Sequence, residues 1–272
     1  MSMLPTAAQP SEMNRLPVQV HAAGAWALLH KETMRFVKVA VQTILAPVVS
    51  SLLFLLIFAH LLEGRIEPHP GMSYTAFLVP GLIMMSVINN AYANVVSSFF
   101  SQKFQKSIEE LLVSPVPNYV ILLGFVTGGV ARGLCVGLIA SLISLVFSGL
   151  HMYNIFITAF VILLASIVFS LGGFINAVFA RNFDDISIVP TFILTPLIYL
   201  GGVFYSVEAL PEFARTISHF NPIFYMINAF RYGVLGVSDV SITFSLSLLV
   251  TLTIAMFAFS LRLLYSGKGL RN

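Results

Sequence analysis

The chain has 272 residues, 58% of them hydrophobic and 9% charged, against about 25% charged in ordinary soluble domains. Its charges are bunched, leaving uncharged runs at 39–62, 68–102, 111–131, 133–180, 186–207 and 240–261, each long enough to hold the roughly 20 apolar residues that cross a bilayer. A soluble domain and a secreted protein are excluded on these grounds, and so is a nucleic-acid partner, because the net charge of +3 comes from residues that flank apolar segments and form no continuous basic face.

In chain order, residues 1–19 hold Pro5, Pro10, Glu12, Arg15 and Pro17 without an apolar run, so a loosely ordered N-terminus is expected and the first span is expected to do the targeting. From Val20 to Val37 the pattern is that of an amphipathic helix lying on the membrane. Lys31, Arg35 and Lys38 share one face, and Trp26, Leu29 and Phe36 are available to the interface. Six spans are predicted, at about 39–62, 74–97, 130–150, 155–179, 186–205 and 241–264. The long uncharged run 133–180 is read as two of these, separated by a turn at His151, Met152, Tyr153 and Asn154.

An even number of spans puts both termini on one side. Lys and Arg concentrate in the N-terminal segment (Arg15, Lys31, Arg35, Lys38), the second loop (Lys103, Lys106), the fourth (Arg181) and the tail (Arg262, Lys268, Arg271). The alternate loops hold Arg65, Arg215 and Arg231. That asymmetry predicts cytoplasmic termini. Arg132 precedes His151 by 19 positions, about 28 Å of helix, so it is expected either at the cytoplasmic mouth of the third span or in a polar entrance to a substrate path.

The second loop, Lys103 to Val113, is predicted to be a short helix of mixed charge. Phe104, Ile108, Leu111 and Leu112 follow helical spacing, Lys106 and Glu110 stand i,i+4, Glu109 adds a second acid, and Pro115 ends the helix. An apolar stripe rimmed by charge suits a soluble partner. On the third span Gly129, Gly133, Gly137 and Ser141 recur every four residues and form a face that lets another helix approach closely, within one chain or between two. Pro47, Pro80, Pro190 and Pro196 predict kinks. In the turn after the fourth span, Asp184 or Asp185 is expected to cap the fifth.

Residues 206–240 are too polar for a plain span and too apolar for an ordinary loop. Two short arms, Glu208 to His219 and Ile223 to Leu235, are predicted to form a re-entrant hairpin, with Asn221 as N-cap and Pro222 as first helical residue of the second arm. Tyr199, Phe204, Tyr205, Phe224, Tyr225 and Tyr232 gather on this side, as either an interfacial belt or, with Arg132 and Arg231, the lining of a substrate path.

The motifs of independent chemistry are missing. There is no phosphate-loop motif, since Gly267-Lys268-Gly269 lacks the spacing, and no metalloprotease helix or nucleophile elbow. Cys135 is the lone cysteine, so no intrachain disulfide forms. His60, Glu63, Glu67 and His69 read as a solvated loop rather than a metal site. The span interiors hold none of the carboxylates expected of a proton-coupled transporter. If the chain is a transporter, its energy comes from elsewhere.

Phe77-Leu78-Val79-Pro80-Gly81-Leu82-Ile83, Ile108-Glu109-Glu110-Leu111-Leu112-Val113-Ser114-Pro115, and the block from Leu194-Thr195-Pro196 through Gly201-Gly202-Val203-Phe204-Tyr205-Ser206 and Leu210-Pro211 to Asn221-Pro222 and Phe230-Arg231-Tyr232-Gly233 resemble the ABC-2 type permeases, the membrane subunits of bacterial ATP-driven exporters. The stretch Ala177 to Ser187 is most similar to the YadH-type branch, and the likeness covers the chain from about residue 25 onward. The resemblance implies an all-α membrane protein of the bacterial inner membrane, a single domain over 20–272 with six transmembrane helices. Its N-terminal helix would be an interface helix, Lys103 to Val113 a cytoplasmic coupling helix, and Glu208 to Leu235 an outer re-entrant hairpin. It also implies a homodimer that recruits two copies of an ATP-binding cassette subunit, with ATP and Mg bound there and no cofactor, metal or catalytic residue on this chain. The other class left open is an uncoupled polytopic protein, a scaffold or an enzyme acting on lipids. Such an enzyme would have to draw its polar groups from Arg132, Arg181, Asp184, Asp185, Glu208, Glu212 and Arg231.

Overall fold

The structure, a computed structural model, describes residues 26, 34–35, 40–62, 64–65, 68, 71–114, 116–148 and 152–269. Every regular element among them is helical: α1 (Ala40–Leu62), α2 (Tyr74–Phe104), α3 (Ser107–Val113), α4 (Asn118–Ser148), α5 (Ile155–Phe179), α6 (Asp185–Leu200), α7 (Glu212–His219), α8 (Pro222–Leu235) and α9 (Ile242–Ser266), with a 3-10 turn at Val207–Ala209. Five of them, α1, α2, α4, α5 and α9, are long and apolar enough to cross a membrane. The fifth predicted span is shorter than expected. As α6 it runs 16 residues, about 24 Å, and a π-helical turn at Pro190–Leu194 interrupts it. The carbonyl of Pro190 in that turn accepts from the Thr195 hydroxyl at 2.8 Å, which satisfies a group loosened by the wider register.

The helix at the centre is the most polar of the long ones. α2 packs against α4, α5, α1 and α8 and is buried along most of its length, whereas the apolar faces of α1 and α9 are largely exposed. This is the order a lipid solvent selects. Ser86, Asn90, Asn94, Ser98 and Gln102 of α2 are buried among protein groups, while Leu45, Val49, Leu53, Leu56 and Leu61 of α1 face outward, since polar side chains facing hydrocarbon cost several kcal/mol.

α2 and α4 extend well beyond the predicted spans and form a hairpin closed by α3. The third span was expected to begin near Val130, on the assumption that Arg132 marks a boundary. It begins 12 residues earlier, at Asn118, because Arg132 finds a partner on α2 and the helix passes through it. The predicted single helix Lys103 to Val113 is also broken. Lys103 and Phe104 end α2, Lys106 takes a left-handed conformation at φ 61°, and α3 starts at Ser107. Lys106 therefore stands outside the helix, and among the described residues no ion pair joins it to Glu110.

The small-residue face of α4 is used within the chain. A Cβ at Gly129 or Gly133 would collide with the hydroxyls of Ser170 and Ser166 on α5, and one at Gly137 would lie 2.9 Å from Val87 on α2. α4 thus wedges between α2 and α5 with its glycines toward both, and Ser141 is buried on the same helix.

Candidate functional site

The sequence singled out four groups of residues. The first, the N-terminal amphipathic segment, lies mostly outside the described residues, including Lys31 and Lys38. Trp26 is exposed, and Arg35 is seated against the middle of α2, donating to the Asn94 side-chain oxygen at 2.9 Å, to the Asn94 carbonyl at 3.0 Å and to Ser97 Oγ at 3.4 Å.

The second group sits at the tip of the α2–α4 hairpin. Ile108 is buried, and Leu111 and Leu112 pack against the core. The stripe expected to meet a partner therefore faces this chain's own core and fixes α3 to it. What α3 turns outward is Glu109, Glu110 and Val113, with Lys106 and Phe104 beside them. Phe104 and the exposed Phe183 stand 5.0 Å apart between ring centroids, and Phe183 meets the buried Phe100 edge-on at 5.0 Å. Lys103 faces the other way. Its Nζ donates to the carbonyls of Val178 at 2.5 Å and Ala180 at 2.8 Å, neutralising the C-terminal end of α5.

The turn joining α5 to α6 is tied in nearby. Asp185 Oδ2 accepts from the backbone N–H groups of Arg181 and Asn182 at 2.8 and 3.3 Å, and Asn182 Oδ1 accepts from the Asp185 N–H at 2.8 Å. Neither aspartate caps the helix as expected: Asp184 occupies the N-cap position but makes no side-chain cap bond, and the Asp185 carboxylate is engaged in the preceding turn. Asn176 Nδ2 donates to the Tyr92 hydroxyl at 2.7 Å and the Ile186 carbonyl at 3.2 Å. α2, α5 and α6 are thereby linked at one point, an asparagine the sequence reading passed over because nothing in its local spacing marks it.

The third group, the aromatic set beyond α6, divides. Tyr199 is exposed, and Phe204 clusters with it and with Phe54 and Phe58 of α1 at centroid distances of 5.5 to 5.7 Å. Tyr205 donates to the Tyr199 carbonyl at 2.9 Å, and Tyr225 to the His219 carbonyl at 2.8 Å. Phe224 and Arg231, however, are fully buried. They are packing residues here and line no open path. The predicted arms correspond to α7 and α8, and the predicted cap is present: Asn221 Oδ1 accepts from the Ile223 N–H at 3.0 Å while its Nδ2 donates to the Leu197 carbonyl at 2.6 Å.

The fourth group is Arg132 alone. It is half-buried in mid-helix, and its Nε donates to Asn90 Oδ1 on α2 at 3.2 Å. Of the polar residues that a lipid-acting enzyme would need, several are already engaged among the described residues. Arg231 is enclosed, Glu208 is held at 3.5 Å by Arg215 on the surface, and Asp185 is committed to its turn. Among the described residues no group of His, Cys, Asp and Glu could hold a metal ion.

Residues 24–235 match the family model described as ABC-2 type transporter. The chain belongs to the ABC-2 type transporter family. It is 52% identical over 247 residues to the inner membrane transport permease YadH of Escherichia coli, covering 91% of this chain and 95% of that protein. It is also 23% identical over 202 residues to nodulation protein J of Rhizobium leguminosarum bv. viciae, covering 74% of this chain and 77% of that protein. With nodulation protein J of Sinorhizobium fredii the identity is 24% over 242 residues, 88% and 91% of the two chains. As an ABC-2 family member with five spanning-length helices among its described residues, this chain is a multi-pass membrane transport protein.

Proposed function

We propose that this chain is the permease subunit of an ATP-driven exporter of the bacterial inner membrane, with cytoplasmic termini, working as a homodimer and energised by two copies of a separate ATP-binding cassette subunit. The inner-membrane permease name of the Escherichia coli relative supports the location and the transport role. ATP and Mg would be bound on the partner, in keeping with the missing phosphate-loop motif.

The observation that carries the reading is α3. Its inward Ile108, Leu111 and Leu112 join it to the core and it packs on α2, so a displacement of α3 would be passed to the end of α2 and, through the short link after α3, to the start of α4. Its outward Glu109, Glu110 and Val113, with Lys106 and Phe104, offer a partner a charged and apolar handle. A closing motion of an ATP-binding dimer that engages this handle would be passed along two helices, each 31 residues long. Both pack on α5, and α2 also contacts the start of α6. In this mechanism α7 and α8 form the outer re-entrant hairpin. The path between the two permease halves opens when the hairpins tilt.

The test is affinity purification of the full chain from its native membrane in mild detergent, with mass spectrometric identification of what accompanies it. A near-stoichiometric soluble protein carrying a phosphate loop supports the reading. Reproducible isolation of the chain alone overturns it.

A further inference from the structure

The turn between α5 and α6 reads Arg181-Asn182-Phe183-Asp184-Asp185, a phenylalanine with polar residues on both sides. Arg181, Asn182 and Asp184 are exposed, so the turn faces water, since hydrocarbon would leave such groups unanswered. Phe183 is nevertheless 53% exposed, and Phe104 at the end of α2 is 59% exposed. Their rings stand 5.0 Å apart, and Phe183 rests edge-on against the buried Phe100 at 5.0 Å. Two half-exposed phenylalanines, brought together from distant parts of the chain and seated on a third, make a fixed apolar patch on a polar surface. Large apolar side chains gathered in this way mark an interaction surface.

The patch continues into the outward face of α3, where Glu109, Glu110 and Val113 are exposed. Its rim holds three exposed carboxylates, Glu109, Glu110 and Asp184, against the exposed Lys106 and Arg181. Among the described residues those three carboxylates make no hydrogen bond or ion pair. Asp185 differs, because its Oδ2 is occupied by the N–H groups of Arg181 and Asn182. The turn is held firmly from below as well, through Asn176, which donates to both the Tyr92 hydroxyl on α2 and the Ile186 carbonyl on α6. A push on Phe183 therefore reaches the start of α6 through a braced turn.

We propose that the α5–α6 turn is a second docking element, with Phe104 and Phe183 together entering an apolar slot on the ATP-binding cassette subunit whose rim carries basic side chains opposite Glu109, Glu110 and Asp184. The proposal rests on the coupling reading above and extends it from α3 to two elements. Aromatic side chains that become desolvated in a pocket are the common anchors of an interface, and complementary charge around them fixes register. The partner's motion then has two entries. One runs through α3 into α2 and α4, and the other runs through Phe183 into α6, whose π-helical turn at Pro190–Leu194 follows directly on Asp185–Val189.

The experiment places photoreactive benzoylphenylalanine at Phe183 and, separately, at Glu109 of the full chain in its native membrane, and identifies the crosslinked species by mass spectrometry. Crosslinks from both positions to one soluble protein carrying a phosphate loop are expected. Crosslinks to that protein from Glu109 but not from Phe183 overturn the second element and leave coupling through α3 standing. Absence of such crosslinks from both positions overturns the coupling reading and this proposal together. Crosslinks from Phe183 to lipid alone mark an interfacial side chain and overturn the proposal.

Affinity for the crosslinked protein, measured on the purified full chain, gives the second readout. Phe183→Ser is expected to weaken association by at least about tenfold, and Phe183→Leu, which keeps apolar bulk, to retain most of it. Asp184→Lys changes the rim without touching the ring packing or any cap bond, so it folds independently of what Phe183 contributes. It is expected to weaken association about fivefold. Unchanged association of either Phe183→Ser or Asp184→Lys overturns the slot and its basic rim.

Discussion

The guanidinium of Arg231 lies over the ring of Phe77, its Cζ 3.7 Å from the ring centroid. The same side chain donates from Nη2 to the Gly202 carbonyl at 2.8 Å. One buried arginine on α8 thus secures α2 and the Gly201-Gly202 turn after α6, where Gly202 takes φ +83°. The residue looks by position like a substrate contact, yet it is enclosed by the fold.

Arg231→Ala is accordingly expected to act on stability. Losing the cation–π contact in a desolvated setting costs about 2 kcal/mol, and leaving the Gly202 carbonyl unpaired about 1–3 kcal/mol. Phe77→Leu, which keeps bulk but removes the ring, should cost about 1–2 kcal/mol. The double variant should cost less than the two singles together, because the shared contact is lost once. Thermal unfolding of the purified proteins in detergent checks both the order and the coupling. Full stability of Arg231→Ala would return the residue to the substrate path.

Glycine replacements should be graded by what stands opposite. At Gly133 a Cβ meets only side-chain atoms, the Ser166 hydroxyl, which can rotate away, Ser166 Cβ at 3.1 Å and Ala91 Cβ at 3.3 Å. At Gly173 on α5 it meets the backbone of α2, the Tyr92 carbonyl at 2.5 Å and the Val96 nitrogen at 3.2 Å. Backbone cannot rotate out of the way. Gly173→Ala is therefore expected to reduce folded yield more than Gly133→Ala, and Gly133→Leu to abolish close packing of α4 on α5. Size-exclusion profiles and monodisperse yield measure this, and equal yields for the two alanine variants would count against the backbone clash.

These comparisons show which features the sequence carried openly. Asn221-Pro222 is a local signal, one residue to cap and one to start, so the entry into α8 was legible. So were Ile155 and Phe179 as the ends of α5, because a turn and a polar stretch bound that uncharged run. The length of α4 was not. Arg132 reads as a boundary until a distant asparagine on α2 is known to accept from it. The direction of α3 was hidden for the same reason. Helical spacing identifies an apolar face, but only the hairpin geometry decides whether Ile108 and Leu112 turn toward a partner or toward the chain itself. Gly173 was likewise illegible, since the carbonyl that requires it belongs to Tyr92, 81 positions away.

Lys103 offers a test of how the hairpin is joined to α5. Its ammonium caps the carbonyls at the end of that helix, an interaction worth about 1–2 kcal/mol when partly buried. Lys103→Met keeps the length and removes the charge, and should lower the unfolding temperature in detergent. Lys103→Arg should restore most of it. A Lys103→Met protein as stable as wild type would mean that water satisfies the Val178 and Ala180 carbonyls equally well.

The outward face of α3 yields the sharpest functional expectation. Glu109 and Glu110 are exposed and their side chains make no hydrogen bond or ion pair among the described residues, while Ile108 beside them is buried. Reversing both charges, Glu109→Lys with Glu110→Lys, should leave insertion, folded yield and unfolding temperature unchanged, since exposed substitutions usually fall within about 0.5 kcal/mol. Association with the proposed ATP-binding subunit should fall by at least about tenfold, because like charges placed across a contact cost several kcal/mol. Ile108→Ala should do the opposite and lower the unfolding temperature, by about 2–5 kcal/mol of apparent stability. Pull-down yield and unfolding temperature, measured on the same preparations, separate the two effects. Unchanged complex yield for the double reversal would remove α3 as the docking element.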